Sequence, residues 1–521
     1  MANEAQVGSV TTDAPPPNLE PWTGDKKFFG HPRGLSTLFF TEMWERFSFY
    51  GIRPMLLAFM IVAMMDGGFG FDRPTAGSIL GIYAASVYLA SLPGGWIADR
   101  WLGLRRAIWY GGIFIASGHL LVAFSGIIGK PVFFIGLIFI VMGTGLLKPN
   151  ISAIVGDLYP EGGARRDAGF SIFYMGINLG ATLGPLVTGA LRSQAGYHYG
   201  FGAAGVGMLA GVITYRLRGG KTLGPIGLGT TATAAQQRTV KAVVAAALGL
   251  LVVVVGLASA SVITIDAVSV AHRMVYFEVS MAALYFAYLF FFARLTTDEK
   301  KRAGVIVVLF IFAAIFWSGF EQAPSSLNLF AKDFTNRVVF GHELPFEWLQ
   351  VVNSFFVVAL APVFAWLWVA LDKRGMAPSS PAKFAAALFF AGLGFLIMVP
   401  PVKAVVASGG VLKVSMIWLI LSYILQTIGE LSLSPVGLSS MTKLAPKKFA
   451  GQMMGVWFLA TSLGNLIAGI VGGDVDPEKL DAMTPLFVRT TASLFISTVV
   501  LLLMVKPISR MMSESSMSGG H

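Results

Sequence analysis

Long apolar blocks constrain the fold of this 521-residue chain more than any other feature. Charge and turn clusters separate fourteen such blocks between residues 35 and 508. Most reach about 18 residues or more, the length with which an α-helix crosses a bilayer core of roughly 30 Å. Only 12% of the residues are charged, against about 25% in soluble domains. The sequence therefore predicts an all-α integral membrane protein with fourteen transmembrane helices.

The distribution of lysine and arginine predicts the orientation of these helices. With the N-terminus in the cytoplasm, 25 of the 38 basic residues fall in inward-facing segments and 10 in outward-facing ones. Basic residues accumulate on the cytoplasmic side of membrane proteins. We therefore expect both termini in the cytoplasm, with the protein crossing the (inner) cell membrane many times. The net charge of +11 is then a topology signal, so we expect the lipid bilayer and no nucleic acid as a partner.

A weak internal sequence repeat indicates that the chain has two halves. The turn at 99–103 resembles the turn at 372–375, and each follows the second helix of a six-helix unit. The predicted domains are a disordered cytoplasmic tail at 1–34, a six-helix bundle at 35–218, a linker with two inserted helices at 219–302, a second six-helix bundle at 303–508 and a C-terminal tail at 509–521. Paired bundles are typical of transporters, whose site lies between the halves near the midplane.

Charged residues at membrane depth are the candidate functional groups, because each costs roughly 2.5–3.5 kcal/mol to insert. Seven lie within the predicted helices of the two halves: Glu42, Glu45, Arg46, Arg53, Lys148, Glu321 and Glu430. Glu278, in the inserted pair, has no evident partner in the sequence. Such residues are expected to face the bundle interior or a water-filled cavity.

The charge count among these seven residues favours proton coupling. Four carboxylates oppose three cations, so one carboxylate is expected to hold a proton in a medium of low dielectric constant. A bound sodium ion or additional hydrogen bonds would balance the charge equally well. The four charges of the first helix, at 42, 45, 46 and 53, fall on one stripe about 16 Å long. A purely structural ion-pair cluster between helices is the alternative interpretation of that stripe.

Three motifs resemble signatures of the proton-dependent oligopeptide transporter family, a branch of the major facilitator superfamily. They are Glu42-x-x-Glu45-Arg46-Phe47-x-Phe49-Tyr50-Gly51, Gly94-Gly95-x-x-Ala98-Asp99-x-x-Leu102-Gly103 and Phe173-Tyr174-x-x-Ile177-Asn178-x-Gly180. The resemblance covers most of residues 33–505 and is closest to prokaryotic members. One departure is Phe49, where the family often has tyrosine. The resemblance implies a major facilitator fold of two six-helix bundles, here with two inserted helices.

The resemblance also implies a function, the proton-coupled import of di- and tripeptides by alternating access. It assigns proton coupling to Glu42, Glu45, Arg46 and Glu321. It assigns substrate binding to Arg53, Tyr50, Tyr83, Lys148, Asn178, Trp317, Asn353, Glu430, Ser434 and Trp457. Arg53 is expected to hold the peptide carboxylate and Glu430 the amino group. Arg53 with Glu321 is the expected outer gate, and Lys148 with Glu430 the expected inner gate.

The chemistry of these residues agrees with that assignment. A peptide zwitterion offers a carboxylate, which the fork of an arginine binds with two hydrogen bonds, and an ammonium group, which a glutamate binds. Packing or interfacial roles remain open for the aromatic residues, and structural hydrogen bonding remains open for the polar ones. A carrier of another small anion or drug-like substrate on the same fold is the main alternative.

Other classes of function receive little support. The chain contains no cysteine, and the segment that begins at His342-Glu343 lacks the second histidine of a zinc-protease helix. We therefore expect no enzyme activity, no metal and no cofactor, with protons as the coupling ion. A channel would not need balanced, opposed charges. One chain holds all of the candidate residues, so we expect a functional monomer.

Overall fold

The structure, a computed structural model, describes residues 19–230 and 232–517 and is almost entirely helical in them. Its long helices are α1 (Arg33–Ile61), α2 (Arg73–Ile97), α3 (Leu104–Ile128), α4 (Lys130–Asp157), α5 (Gly163–Ala195), α6 (Tyr197–Leu223), α7 (Ala234–Ser259), α8 (Ala267–Phe291), α9 (Thr297–Phe320), α10 (Val351–Lys373), α11 (Ser380–Leu396), α12 (Ile417–Leu444), α13 (Ala450–Gly472) and α14 (Leu480–Met517). The fourteen predicted helices are thus all present in the described chain.

Helix α1 differs from the other thirteen in its charge. The other thirteen each contain a stretch long and apolar enough to cross a membrane. Every 18-residue window of α1 contains at least three charged residues, drawn from Glu42, Glu45, Arg46 and Arg53. Because these side chains are buried inside the protein, α1 spans the same distance without facing lipid.

Two bundles of six helices form the body of the molecule, as the fold prediction requires. Helices α1–α6 pack together, and so do α9–α14. The bundles meet where α2 packs on α13 and where α5 packs on α10. The inserted pair lies at the side: α7 is largely exposed, whereas α8 packs on both α2 and α13. This arrangement confirms the predicted fold of two bundles plus two inserted helices.

Ion pairs join the bundles on the membrane face away from the N-terminus, which we call the opposite face. Arg192 of α5 donates two hydrogen bonds, of 2.7 and 2.8 Å, to the carboxylate of Glu347, just before α10. Arg73, at the start of α2, forms ion pairs across the bundles, with its guanidinium 2.8 Å from the carboxylate of Asp333 and 3.5 Å from that of Asp476. The two bundles are therefore held closed at the opposite face.

Small residues allow the closest helix contacts. A Cβ atom at Gly180 of α5 would overlap the carbonyl oxygen of Met43 in α1, and one at Gly469 of α13 would overlap Gly81 of α2. Substitution at these positions would therefore force backbones apart. The glycine of the third sequence motif is thus explained by helix packing.

The ends of the chain differ from the predicted boundaries. Residues 1–18 and 518–521 of the predicted tails lie outside the described residues. The rest of the N-terminal segment is packed rather than free: a short helix forms at Glu20–Thr23, and the His31 Nδ1 atom lies 2.8 Å from the hydroxyl of Tyr159. Helix α14 continues to Met517, past the predicted end at 508, and α6 continues past 218 to Leu223.

The few strands are short and lie in loops. Thr335–Asn336 (β1) pairs in parallel with Val414–Ser415 (β4), and Val338–Val339 (β2) pairs with His342–Glu343 (β3) as an antiparallel hairpin. His342 and Glu343 are exposed in that hairpin, as expected for a loop segment.

Candidate functional site

A polar cavity of about 120 Å³ lies between the two bundles, large enough for several waters or a small polar ligand. Helices α1, α2 and α5 line it from one half, and α9, α10 and α12 from the other. Its walls include the predicted residues Tyr50, Arg53, Trp317, Glu321, Asn353 and Glu430. The structure thus brings six of the candidate residues, from opposite ends of the chain, to one site.

A break at the end of α9 positions Glu321. The sequence predicts a continuous helix over 303–330, but α9 ends at Phe320 and a π-helical turn follows at 323–327. Pro324 explains the break, because proline lacks an N–H and its ring collides with the carbonyl four residues earlier, that of Phe320. The Glu321 carboxylate is thereby presented at an interrupted helix end that borders the cavity.

Arg53 connects the two bundles at this point. Its Nη2 atom lies 2.6 Å from Glu321 Oε2 and donates a hydrogen bond of 2.5 Å to Asn465 Oδ1 on α13. The guanidinium carbon also lies 5.4 Å from the ring centre of Phe49, a cation–π distance. All four residues are buried. The predicted pair Arg53–Glu321 is therefore present in the structure as a buried ion pair.

Glu430 lies on α12 among hydrogen-bond donors. Asn353 of α10 donates to Glu430 Oε2 at 3.1 Å and to Thr427 Oγ1 at 2.9 Å. In the described chain no lysine or arginine lies within 4.0 Å of the Glu430 carboxylate. A negative group held only by a neutral amide, at the wall of a cavity, is available to a positively charged ligand.

The charged cluster of α1 lies deeper in the first bundle. The Arg46 guanidinium bonds Glu45 and lies 3.1 Å from Glu42, and all three side chains are nearly inaccessible to solvent. One cation therefore serves two carboxylates. An oxygen of each carboxylate, Glu42 Oε2 and Glu45 Oε1, has no hydrogen-bond partner in the described chain. The cluster can therefore accept a proton without losing an existing contact.

Lys148 is not part of an ion pair in the described chain. Its ammonium nitrogen lies 4.4 Å from the ring centre of Tyr88 on α2, so a cation–π contact replaces the expected contact with Glu430. The predicted inner gate pair, Lys148–Glu430, is thus apart in this conformation, whereas the predicted outer pair is formed.

Four further candidates, Tyr83, Asn178, Ser434 and Trp457, are not among the residues that line the cavity. Trp457 packs against Trp317 with ring centres 6.5 Å apart, and Tyr83 stacks on Phe49. Asn178 donates at 2.9 Å to the carbonyl of Tyr174 in its own helix. The hydroxyl of Ser434 is buried without a hydrogen-bond partner in the described chain. The structure therefore does not bring these four residues into the cavity wall.

Several residues of the site were missed by the sequence reasoning. Tyr88, Gln350, Tyr423, Gln426 and Asn465 line the cavity or bind its charges. Gln350 donates at 3.3 Å to the Tyr423 hydroxyl. They are uncharged, so the criterion of a charge at membrane depth does not identify them. Gln426 was available as a signal, since it lies one helical turn before Glu430.

The fold and site together define a class of protein. Two membrane bundles that enclose opposed charges between them form the architecture of a secondary transporter. The family model described as the POT family matches residues 105–479. The chain belongs to the POT family and is therefore a transporter rather than an enzyme.

Named relatives and solved structures cover nearly the whole chain. The peptide transporter YePEPT of Yersinia enterocolitica is 48% identical over 498 residues, which are 94% of this chain and 97% of that protein. A di-/tripeptide transporter of Lactococcus lactis subsp. cremoris is 35% identical over 94% of this chain and 98% of its own. A crystal structure of a peptide transporter POT in complex with sulfate superposes with a TM-score of 0.87 at 39% identity, covering 95% of this chain and 99% of the other. A POT family transporter in complex with 5-aminolevulinic acid gives 0.84 at 34% identity, covering 93% and 98%.

Proposed function

We propose that this chain is a proton-coupled symporter that imports di- and tripeptides by alternating access. The observation that carries the proposal is one cavity with a buried arginine from the first bundle, Arg53, and an unpaired glutamate from the second, Glu430. A short peptide is a zwitterion, so its two ends would bridge the halves. The names of the relatives, which include di-/tripeptide transporters, support the same substrate class.

Peptide binding would compete with the ion pair that closes the outer side. The peptide carboxylate and Glu321 need the same donors on Arg53, and the guanidinium can serve both only in part. A peptide that takes Arg53 leaves Glu321 as an isolated carboxylate in a site of low dielectric constant, which favours protonation. Substrate and proton therefore load together, with protons as the only coupling ion and no cofactor.

Proton coupling would extend to the cluster on α1. Glu42 and Glu45 share Arg46. A proton on either carboxylate leaves the other carboxylate to balance the charge of Arg46, so the cluster becomes neutral overall. Lys148 lies on the neighbouring helix α4, against Tyr88, and would move onto Glu430 when the second gate closes. We assign Lys148–Glu430 to the inner gate because the outer pair is formed here while these two residues are apart.

The cavity walls would accept different side chains. Tyr50 and Trp317 line the cavity. Trp457 packs against Trp317, and Tyr83 stacks on Phe49. Asn353 lies beside Glu430, and because its two amide protons are donated to Thr427 and Glu430, its amide oxygen would accept from a peptide N–H. Asn178 and Ser434 would supply further polar groups. Aromatic walls between two oppositely charged groups suit a ligand whose ends are constant and whose side chains vary.

Orientation and assembly belong to the same proposal. We place both termini in the cytoplasm and the protein in the cell (inner) membrane, because the basic residues concentrate on that side. The opposite face, where the ion pairs close the bundles, is then the outer face. A monomer suffices, since both gate pairs and the cavity are formed within one chain.

The direct test is uptake of labelled dialanine into proteoliposomes, with and without an inward acid gradient. The proposal expects saturable accumulation above the external concentration only with the gradient. Accumulation that follows a sodium gradient and ignores the acid gradient would reject proton coupling.

A second candidate is a carrier of another small anion or drug-like compound. It is favoured by the ligands of two solved relatives, sulfate and 5-aminolevulinic acid. Competition separates the two: dialanine should block the uptake of any such compound if peptides are the main substrate. A compound that is accumulated in the presence of excess dialanine would favour the second candidate.

A further inference from the structure

Glu278 is a buried acid to which the transport mechanism assigns no role. It lies on the inserted helix α8, is fully inaccessible to solvent, and faces the contact between α2 and α13, which we call the seam. Ala271, two turns earlier on the same helix, packs there against Ala85 and Leu466. The helix pair that interrupts the two halves thus presents one carboxylate to the place where the halves meet.

The hydrogen bonds around Glu278 determine which group carries a proton. The hydroxyl oxygen of Ser462, on α13, lies 3.0 Å from the carbonyl oxygen of Ala85, on α2, and 3.0 Å from Glu278 Oε1. A serine hydroxyl has one proton to donate, and a backbone carbonyl can only accept. If Ser462 donates to Ala85, the contact with Glu278 is a hydrogen bond only when the carboxyl group is the donor.

An ionised Glu278 would be poorly compensated. Its second oxygen, Oε2, is buried without a hydrogen-bond partner in the described chain. The titratable residues of the helices packed against α8 serve other contacts. On α2, Arg73 pairs with Asp333, Tyr83 stacks on Phe49 and Tyr88 contacts Lys148. Glu321, at the end of α9, bonds Arg53. Helix α13 has no titratable side chain, and the acids and bases within α9 are confined to its first turns, at 298–302. Among the other titratable groups of α8 itself, His272 bonds the carbonyl of Val268.

We propose that Glu278 is a proton-binding site whose occupancy is linked to closure of the seam. With the seam closed, the chain of donors runs from the Glu278 carboxyl through Ser462 to Ala85 and joins α8, α13 and α2. When α2 leaves α13, Ser462 loses its acceptor and donates to Glu278 instead, so the carboxylate can release its proton to water. Protonation therefore stabilises the closed seam, and by linkage the closed seam raises the affinity of Glu278 for a proton.

The opening step rests on the proposed alternating access, but the protonation itself does not. Infrared absorption of the full chain in lipid at neutral pH, without peptide, detects the carbonyl stretch of a protonated carboxyl group. Glu278→Gln keeps a donor toward Ser462 and should remove one such band from the wild-type spectrum. An identical band in both proteins would overturn the proposal, because Glu278 would then be ionised.

Two further variants make the test independent of that substitution. Ser462→Ala removes the hydroxyl that accepts the hydrogen bond from the Glu278 carboxyl group, so the carbonyl band of Glu278 should shift. An unshifted band would contradict the hydrogen-bond chain, even if Glu278→Gln did not fold. Glu347→Gln breaks an ion pair of the opposite face and should weaken the band as the seam opens. Unchanged intensity in that variant, with the bundles measurably farther apart, would contradict the linkage to the seam.

Discussion

The ion pair between Arg53 and Glu321 is the residue-scale feature on which the transport proposal depends most. Arg53 has three partners within reach, the Glu321 carboxylate, the Asn465 amide oxygen and the ring of Phe49. An arginine can bind a carboxylate with two parallel hydrogen bonds, whereas a lysine acts as a single compact charge. We therefore propose that the site requires arginine rather than any cation.

Arg53→Lys should raise the KM for dialanine about tenfold or more. A lost charge-assisted hydrogen bond is worth roughly 1.5–3 kcal/mol, and about 1.4 kcal/mol corresponds to a factor of ten. Initial uptake rates over a range of dialanine concentrations measure the change. Arg33→Lys, a change at the partly exposed Arg33–Asp25 pair, is the matched control and should leave the KM as it is. A wild-type KM in Arg53→Lys would remove Arg53 from the carboxylate site.

Glu321→Gln should separate peptide movement from proton movement. The glutamine can still accept a hydrogen bond from Arg53, but it cannot carry a proton between the two sides. Exchange of internal for external dialanine is therefore expected to persist, while accumulation driven by an acid gradient is lost. Both are measured with labelled dialanine in the same proteoliposomes. Gradient-driven accumulation at the wild-type level would exclude Glu321 from the proton path.

At the scale of helices and loops, the closed opposite face depends on the pair Arg192–Glu347. Glu347→Gln leaves the Arg192 charge without its carboxylate, and we expect the closed conformer to lose population by roughly tenfold, or about 1.4 kcal/mol. Since the chain has no cysteine, Gln194→Cys with His342→Cys gives one unique pair of spin labels across this face. The distance distribution between the labels should shift to longer values.

The control for that measurement lies in the same loop. Arg337 bonds Glu343 at 2.7 Å within one half, so Glu343→Gln removes an ion pair without loosening the contact between halves. In Glu343→Gln, the distances between the two spin labels should match those in the doubly labelled protein without this substitution. If Glu347→Gln and Glu343→Gln both leave the distances unchanged, the ion pair does not hold the face closed.

The N-terminal segment should detach from the first bundle in acid. Burial lowers the pKa of His31 from its ordinary value of 6.5, and the positive charge of Arg165 lowers it further. The packed segment therefore favours neutral histidine, so its docking is strongest above pH 6.5 and weakens as the pH falls below that value. The hydrogen-exchange protection of residues 19–32, measured relative to the intrinsic exchange rate at each pH, should fall in acid, and His31→Gln should remove this dependence. Equal acid sensitivity in the variant would assign the effect to another group.

The sequence predicted the helices well because each is a long apolar block between charged turns. It failed at the ends of elements, where packing decides. Pro324 gave a local signal for the break in α9, but residues 303–330 read as one apolar stretch, and the packing of His31 on Tyr159 joins segments far apart in the chain. In the site, charge identified Arg53, Glu321 and Glu430. The partners of these charges could not be predicted, because they depend on which helices face each other.

For the molecule as a whole, the two-bundle fold explains why residues 53, 321, 430 and 465 meet although they are far apart in sequence. Each half alone would leave a charge at membrane depth without a partner, and only the contact between halves compensates it. In the proposed transport cycle, the energetic cost of those buried charges is part of the mechanism, since ligand and proton would each replace a charge partner. The inserted helix α8 adds one more acid to the same interface.

Coupling between peptide and proton is the central claim, and reciprocal flux measures it most directly. Proteoliposomes with a luminal pH dye, equal pH on both sides and a clamped membrane potential receive external dialanine. Because coupling is reciprocal, entering peptide should carry protons inward and acidify the lumen, and Glu321→Gln should abolish that acidification. Entry of dialanine with no change in luminal pH would contradict the account.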